Sequence, residues 1–285
     1  MRKLFFDNVT IIGVGLIGAS CALALKKQGL CGTICGYGRK EANLKKAVKL
    51  GIINEYNLKI GKACEHADLV VLATPVGLFK NLLHEIRAIL KEKTLVTDVG
   101  SIKGPLVHEL ESLMPEGSHY IGSHPIAGSD NSGIAHARAD LFEQARCIVT
   151  PTARSDKKAQ QKIISMWKSF GGNVELMDPM LHDEIYAAVS HLPHLIAYAL
   201  VNAVDDSDAG YLKYAGPGFK DTTRIALSSP ELWRDIALLN GNNLVALIER
   251  FGNNLRVMAS LIRNADAAGL DREFSKARSL RKKLK

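Results

Sequence analysis

Among the nine histidines of this 285-residue chain, His124 has the most unusual setting, the stretch GSHPIAGSD at residues 122–130. Its glycines permit close backbone approach and Pro125 fixes the chain around the imidazole. An imidazole changes charge near neutrality, so this one could accept a proton from a bound molecule. A second group, Gly13-Val14-Gly15-Leu16-Ile17-Gly18, suits anion binding: Gly13 makes a tight turn, Gly15 lets backbone approach a pyrophosphate, and Gly18 allows a helix to pack closely on a strand. The helix that follows would point free N–H groups, among them those of Leu16 and Ile17, at the phosphates. A third group is GFKDTTR, where Arg224 offers a planar fork for a carboxylate, unless it only pairs with Asp221 three residues earlier. His191 and His194 stand three apart around Pro193, a spacing compatible with a metal, but no carboxylate or cysteine completes a set and no metal site is expected.

These groups need a scaffold, and the first half of the chain supplies alternating strands and helices. Val9 to Ile12 is a β-branched run entering the glycine turn, and the helix-forming ASCALALKKQG follows. Further strands are expected at Thr33–Tyr37, Asp68–Ala73, Thr94–Thr97, Tyr120–Gly122 and Arg146–Thr150, the last of them ending the sheet. His124 would then hang in a loop from a strand end. In an open parallel sheet ligands lie beyond the carboxyl ends of the strands, which places Thr74, Pro75 and Ser101 beside a bound dinucleotide. Ser101 could instead cap the helix starting near Pro105. Where an acid would bind the ribose, twenty residues after Gly18, the chain has Gly38, Arg39 and Lys40. Two cations there favour NADP, although Arg39 could equally pack on the adenine of NAD.

From about Ser155 the spacing turns helical, with segments expected at Ala159–Phe170, Leu181–Val204, Pro230–Phe251 and Leu255–Ala267. Pro193 should bend the second of these. The expected fold is therefore α/β, a Rossmann-type, doubly wound, mainly parallel sheet over residues 1–152, followed by an all-helical domain over 153–285.

Composition narrows the possible partners. Six of the eight net positive charges lie in the last ten residues, and the body carries no interleaved basic and aromatic stripe, so nucleic acid is not expected as a partner. Five scattered cysteines read as reduced thiols. Neither an apolar leader nor an 18-residue apolar window is evident, so no membrane contact and a cytoplasmic location are expected.

With GVGLIG, ATPVG, DVGSIKG, GSHPIAGSD, SHLPH and GFKDTTR in this order, the chain resembles the prephenate dehydrogenase family, which includes arogenate and cyclohexadienyl dehydrogenases. The resemblance implies oxidative decarboxylation of a dianionic ring acid in tyrosine biosynthesis, with hydride passing to NAD or NADP, and a homodimer built through the helical domain. It also implies roles. His124 would accept the substrate hydroxyl proton and Ser101 would hold hydroxyl and nicotinamide in register. Arg224 would grip a carboxylate, with His191 as a donor on the substrate side and Lys220 and Ser129 nearby. His194 is expected to be a packed helix histidine. Trp233 is either core or a contribution to a partner's site. His66, His84, His108, His119, His136 and His182 are expected on the surface. No stretch matches a regulatory ACT domain or a fused chorismate mutase, so feedback through a separate domain is not expected. The rivals are another two-domain dehydrogenase, of the β-hydroxyacid or imine-reducing kind, and a non-catalytic dinucleotide sensor.

Overall fold

A computed structural model describes residues 5–128 and 133–284; Ser129 and Asp130 lie outside the described residues. The first half runs β1 (Phe6–Ile12), α1 (Leu16–Lys27), β2 (Cys31–Tyr37), α2 (Glu41–Lys49), β3 (Glu55–Tyr56), α3 (Ile60–Cys64), β4 (Leu69–Leu72), α4 (Phe79–Ile86), β5 (Leu95–Asp98) and α5 (Gly104–Ser112). It continues with β6 (His119–Pro125), β7 (Arg146–Thr150), α6 (Lys157–Ser169) and β8 (Asn173–Leu176). The eight strands form one sheet in the order β3-β2-β1-β4-β5-β6-β7-β8, parallel except where β6 meets β7. Strand order reverses between β1 and β4, the place where such sheets bind ligands. The buried strands β4 and β5 have no exposed residue, as their continuous apolar runs require. One core cluster packs α1 and α6 on the sheet, with Phe142, Trp167 and Phe170 at its centre. The other packs α4 and α5, and takes in Trp233 and Ile236 from the helical half.

The expected boundary at 152–153 is not where the sheet ends. α6 belongs to the first core cluster, and β8 adds a parallel edge strand, so the sheet-bearing unit closes at Leu176. β8 escapes a periodicity reading because it is an edge strand of four residues, none of them buried. His124 is a second correction. β6 extends to Pro125, and His124 lies within it, opposite Ile148 of β7. Antiparallel pairing with β7 carries the strand through residues that look like loop.

The helical half comprises α7 (Pro179–Tyr186), α8 (Leu192–Ser207), α9 (Pro217–Thr223), α10 (Pro230–Leu239), α11 (Gly241–Arg263) and α12 (Ala267–Arg281). A π-helical turn, Ala187–His191, joins α7 to α8 without a break in the helix, and Pro193, which has no N–H to donate, follows directly after this irregular turn. The stretch expected as one helix over Pro230–Phe251 is broken at Asn240, and residues from Leu255 continue α11 instead. The helical run over 179–207 contains an 18-residue window of mean hydropathy 1.3, apolar enough by composition to cross a membrane, and 17% of that window is buried in the single chain. The same run sends polar side chains into the sheet-bearing half, as described below, so it packs on protein.

Candidate active site

The glycine turn has the geometry its sequence requires. Gly13 has φ +101°, and a Cβ there would stand 2.6 Å from the Ala73 carbonyl carbon. A Cβ on Gly18 would stand 2.2 Å from the Gly13 oxygen, whereas one on Gly15 would meet nothing within 4 Å. Gly13 and Gly18 are thus fixed by packing, and Gly15 by open space in front of it. No side chain caps α1 at Gly15, so the first amides of the helix, at Leu16, Ile17 and Gly18, remain available to an anion. This cradle fits a dinucleotide pyrophosphate. Thr74 and Pro75 flank it at the end of β4. At the end of β2, after Gly38, Arg39 and Lys40 are exposed. The next acid, Glu41, is engaged by the Tyr56 hydroxyl at 3.0 Å and by Lys45 at 3.1 Å.

Beside the cradle, Ser101 sits in a loop held by a buried ion pair. Asp98 and Lys103 are both fully buried and hydrogen-bonded to each other. Asp98 also accepts from the Gly100 amide at 2.9 Å, the Ser123 amide at 3.0 Å and the Tyr120 hydroxyl at 2.8 Å. The loop after β5 is therefore tied to β6 one residue before His124. Ser101 does not cap α5: the capping position is Lys103, whose amide donates to Asp183 Oδ1 at 2.8 Å. An acid from α7 thus sits at the positive end of α5.

His124 continues this network into the helical half. Its Nδ1 lies 2.9 Å from Nε2 of His182, whose Nδ1 lies 2.8 Å from Asp183 Oδ1. His182 is completely buried rather than at the surface, and Tyr186 stacks on it at 4.5 Å. Burial, with the neighbouring His182 and Lys103, holds His124 well below the ordinary histidine range, so it is neutral near pH 7. His182 is also lowered by burial, with Asp183 acting in the opposite sense.

A cavity of about 850 Å³ opens on His124, Ser101, Tyr186, Ser190 and Trp233. A second, of about 1270 Å³, is lined by His136, Arg138, His194, Arg224 and Ser229. Leu232 belongs to both walls. His124 and Arg224 therefore face neighbouring cavities that meet at Leu232, not one undivided cleft. Lys220 is exposed on α9 and lines neither cavity.

The two histidines around Pro193 lie the other way round from the expectation, His191 packed and His194 at a cavity wall. His191 is buried, accepts at Nδ1 from Asn240 at 3.1 Å, and is pushed down to about 4 chiefly by that burial. It lines neither cavity. His194 is the one beside Arg224: its Nδ1 donates to the Ser190 carbonyl at 2.9 Å, leaving Nε2 as its other ring nitrogen. The positive charge of Arg224 adds to burial in lowering it. Trp233 is buried in its own chain and stacks face to face on His194 with ring centres 3.6 Å apart. Three residues apart on one helix, the two rings share a side and both meet Trp233, His191 edge-on at 6.0 Å and His194 stacked at 3.6 Å, but His191 lies on the buried flank with Asn240.

A nucleotide cradle on a doubly wound sheet, with a helical half closing over its strand ends, defines the two-domain, pyridine-nucleotide-dependent dehydrogenases. Comparison with known proteins narrows the class. Residues 21–176 match the prephenate dehydrogenase nucleotide-binding domain, and 178–276 the prephenate dehydrogenase dimerization domain, a division that coincides with the end of β8. The chain is 34% identical to prephenate dehydrogenase of Bacillus subtilis over 96% of its own length and 75% of that protein's. It is 33% identical to cyclohexadienyl dehydrogenase of Zymomonas mobilis over 98% and 97% of the two lengths. The crystal structure of Aquifex aeolicus prephenate dehydrogenase with hydroxyphenyl propionate and NAD+ superposes with a TM-score of 0.93, at 39% identity and complete coverage of both chains. The chain belongs to the prephenate dehydrogenase family.

Proposed function

We propose that this chain oxidises and decarboxylates prephenate, with arogenate as the alternative substrate, in the formation of tyrosine. The observation that carries the reading is His124, a neutral imidazole held on a β-strand and backed by a buried histidine, facing a cavity beside Ser101. The names of its relatives support the same chemistry. The nicotinamide cofactor, held by Gly13, Gly15, Gly18 and the first amides of α1, supplies the hydride acceptor when bound. His124 then takes the substrate hydroxyl proton at Nε2 as that oxygen becomes a carbonyl, and Ser101 holds the hydroxyl toward it. Arg224 grips a carboxylate bidentately, with His194 alongside in place of His191. The second cavity has two arginines and two histidines and no acid among its described lining residues, which suits a dianion. The substrate would span the Leu232 junction, ring toward His124 and side chain toward Arg224. Loss of carbon dioxide makes the ring aromatic and the step irreversible.

For the cofactor, Arg39 and Lys40 with no free acid at the β2 tip support acceptance of the 2′-phosphate of NADP. The apolar residues Leu255, Ile262, Phe274 and Leu280 on α11 and α12 are exposed in the single chain and support a homodimer through this half. Mixing purified protein with prephenate or arogenate and NADP or NAD, and following reduced-cofactor absorbance, tests the reading. Turnover of prephenate or arogenate is expected, faster with NADP. Silence in all four pairings would overturn it.

A further inference from the structure

We propose that His182 is a positioning residue for His124: it holds the imidazole as its Nδ1–H tautomer, so that Nε2 is always the acceptor offered to the substrate hydroxyl. The inference rests on the role of His124 given above and on a count of donors and acceptors. Asp183 Oδ1 accepts from the Lys103 amide at 2.8 Å and can only accept from His182 Nδ1, also at 2.8 Å, which must therefore carry hydrogen. A neutral His182 then has a lone pair on Nε2. Its 2.9 Å contact with His124 Nδ1 requires the proton to be on His124, which leaves His124 Nε2 with a lone pair.

The surroundings keep this direction fixed. Tyr186 stacks on the His182 ring with its centre 4.5 Å away, and tilts against His124 at 5.1 Å. The other titratable groups near His124 are Lys103 and Asp98, paired with each other, Cys147 on β7, and His191. A Cβ on Gly104 would stand 2.4 Å from Asp183 Oδ2, so α7 seats its acid directly over the start of α5. During turnover the hydroxyl proton moves to His124 Nε2 and the electron pair of the O–H bond remains on oxygen. The resulting imidazolium keeps its Nδ1–H bonded to His182, with the Asp183 carboxylate beyond it to balance the charge. The acceptor thus works only where α7 from the helical half is docked.

The test compares wild type, His182→Phe and His182→Gln in kcat, KM and the nitrogen NMR shifts of the labelled histidine rings. In wild type, His124 Nδ1 is expected to show a protonated and Nε2 an unprotonated shift. His182→Phe loses this distinction, and its kcat falls about 100-fold while KM changes by less than about threefold. Gln places an acceptor oxygen in the same region and restores kcat to within about tenfold of wild type. A wild-type spectrum with Nε2 protonated overturns the proposal, as does a Phe variant with undiminished kcat or a Gln variant no better than Phe. The wild-type spectrum needs no variant to fold. If wild type turns over neither substrate but shows the stated tautomer, the functional reading fails and the tautomer assignment stands.

Discussion

Replacing Lys103 by methionine keeps the apolar stem and removes the charge that faces Asp98. Both side chains are fully buried, so neither charge can recover its hydration. Deleting one partner of such a pair costs about 3–5 kcal/mol, because the other charge stays buried. Asp98 would keep three neutral donors, the amides of Gly100 and Ser123 and the Tyr120 hydroxyl, which places the expected loss near about 3 kcal/mol. For a chain of this length each kcal/mol lowers the melting temperature by about 2–3 °C, so Lys103→Met should melt about 6–9 °C below wild type. Asp98→Asn leaves an unpaired ammonium and should lose a similar amount. The double variant removes both charges, and its loss should fall at least about 2 kcal/mol short of the summed singles. Thermal and denaturant unfolding of the four proteins measures the cycle. Lys27→Met, which breaks an exposed 2.9 Å pair with Glu143, serves as a control with no expected shift. Additive losses, or a Lys103→Met protein melting with the wild type, would refute the reasoning.

Three further outcomes follow from the geometry. Gly18→Ala should lower the melting temperature sharply, since its Cβ meets the Gly13 oxygen, whereas Gly15→Ala should leave stability intact and weaken cofactor binding about tenfold, measured by fluorescence titration with reduced cofactor. His191 is neutral in the fold down to about pH 4 but protonates below 6.5 when unfolded, so its contribution is complete above pH 6.5 and is lost as pH falls toward 4, by about 1.4 kcal/mol per unit. Denaturant midpoints across that window should fall less steeply for His191→Gln than for wild type. Arg224→Gln should raise KM about tenfold or more with a smaller change in kcat, and Arg224→Lys should recover little of it, because an ammonium cannot bind a carboxylate through two parallel bonds. An unchanged KM would remove Arg224 from the substrate site.

The parts legible in the sequence are those whose physics is local. GVGLIG works through three backbone positions within one turn, and β4 and β5 announce themselves as apolar runs because both their faces are covered. His182 was not legible. It stands 58 residues from His124, beside two acids in a helix that reads as half exposed, and only the docking of α7 on α5 brings the rings together. The available signal was its i, i+4 spacing from Tyr186, which puts an aromatic ring on the same helix face. The placement of His191 and His194 has a similar origin, since Asn240 holds the first and Trp233 stacks on the second, contacts made by a segment distant in sequence. The break at Asn240 is tertiary too. Its side chain donates to the Asp183 carbonyl at 2.8 Å and to His191, so the contacts that order the site also divide α10 from α11.

The account depends most on Nε2 of His124 as the acceptor of the substrate proton, and kcat of His124→Asn at saturating substrate and cofactor measures that directly. The account predicts a fall of about 10³-fold with reduced-cofactor affinity unchanged. A variant that keeps kcat within about tenfold of wild type would contradict it.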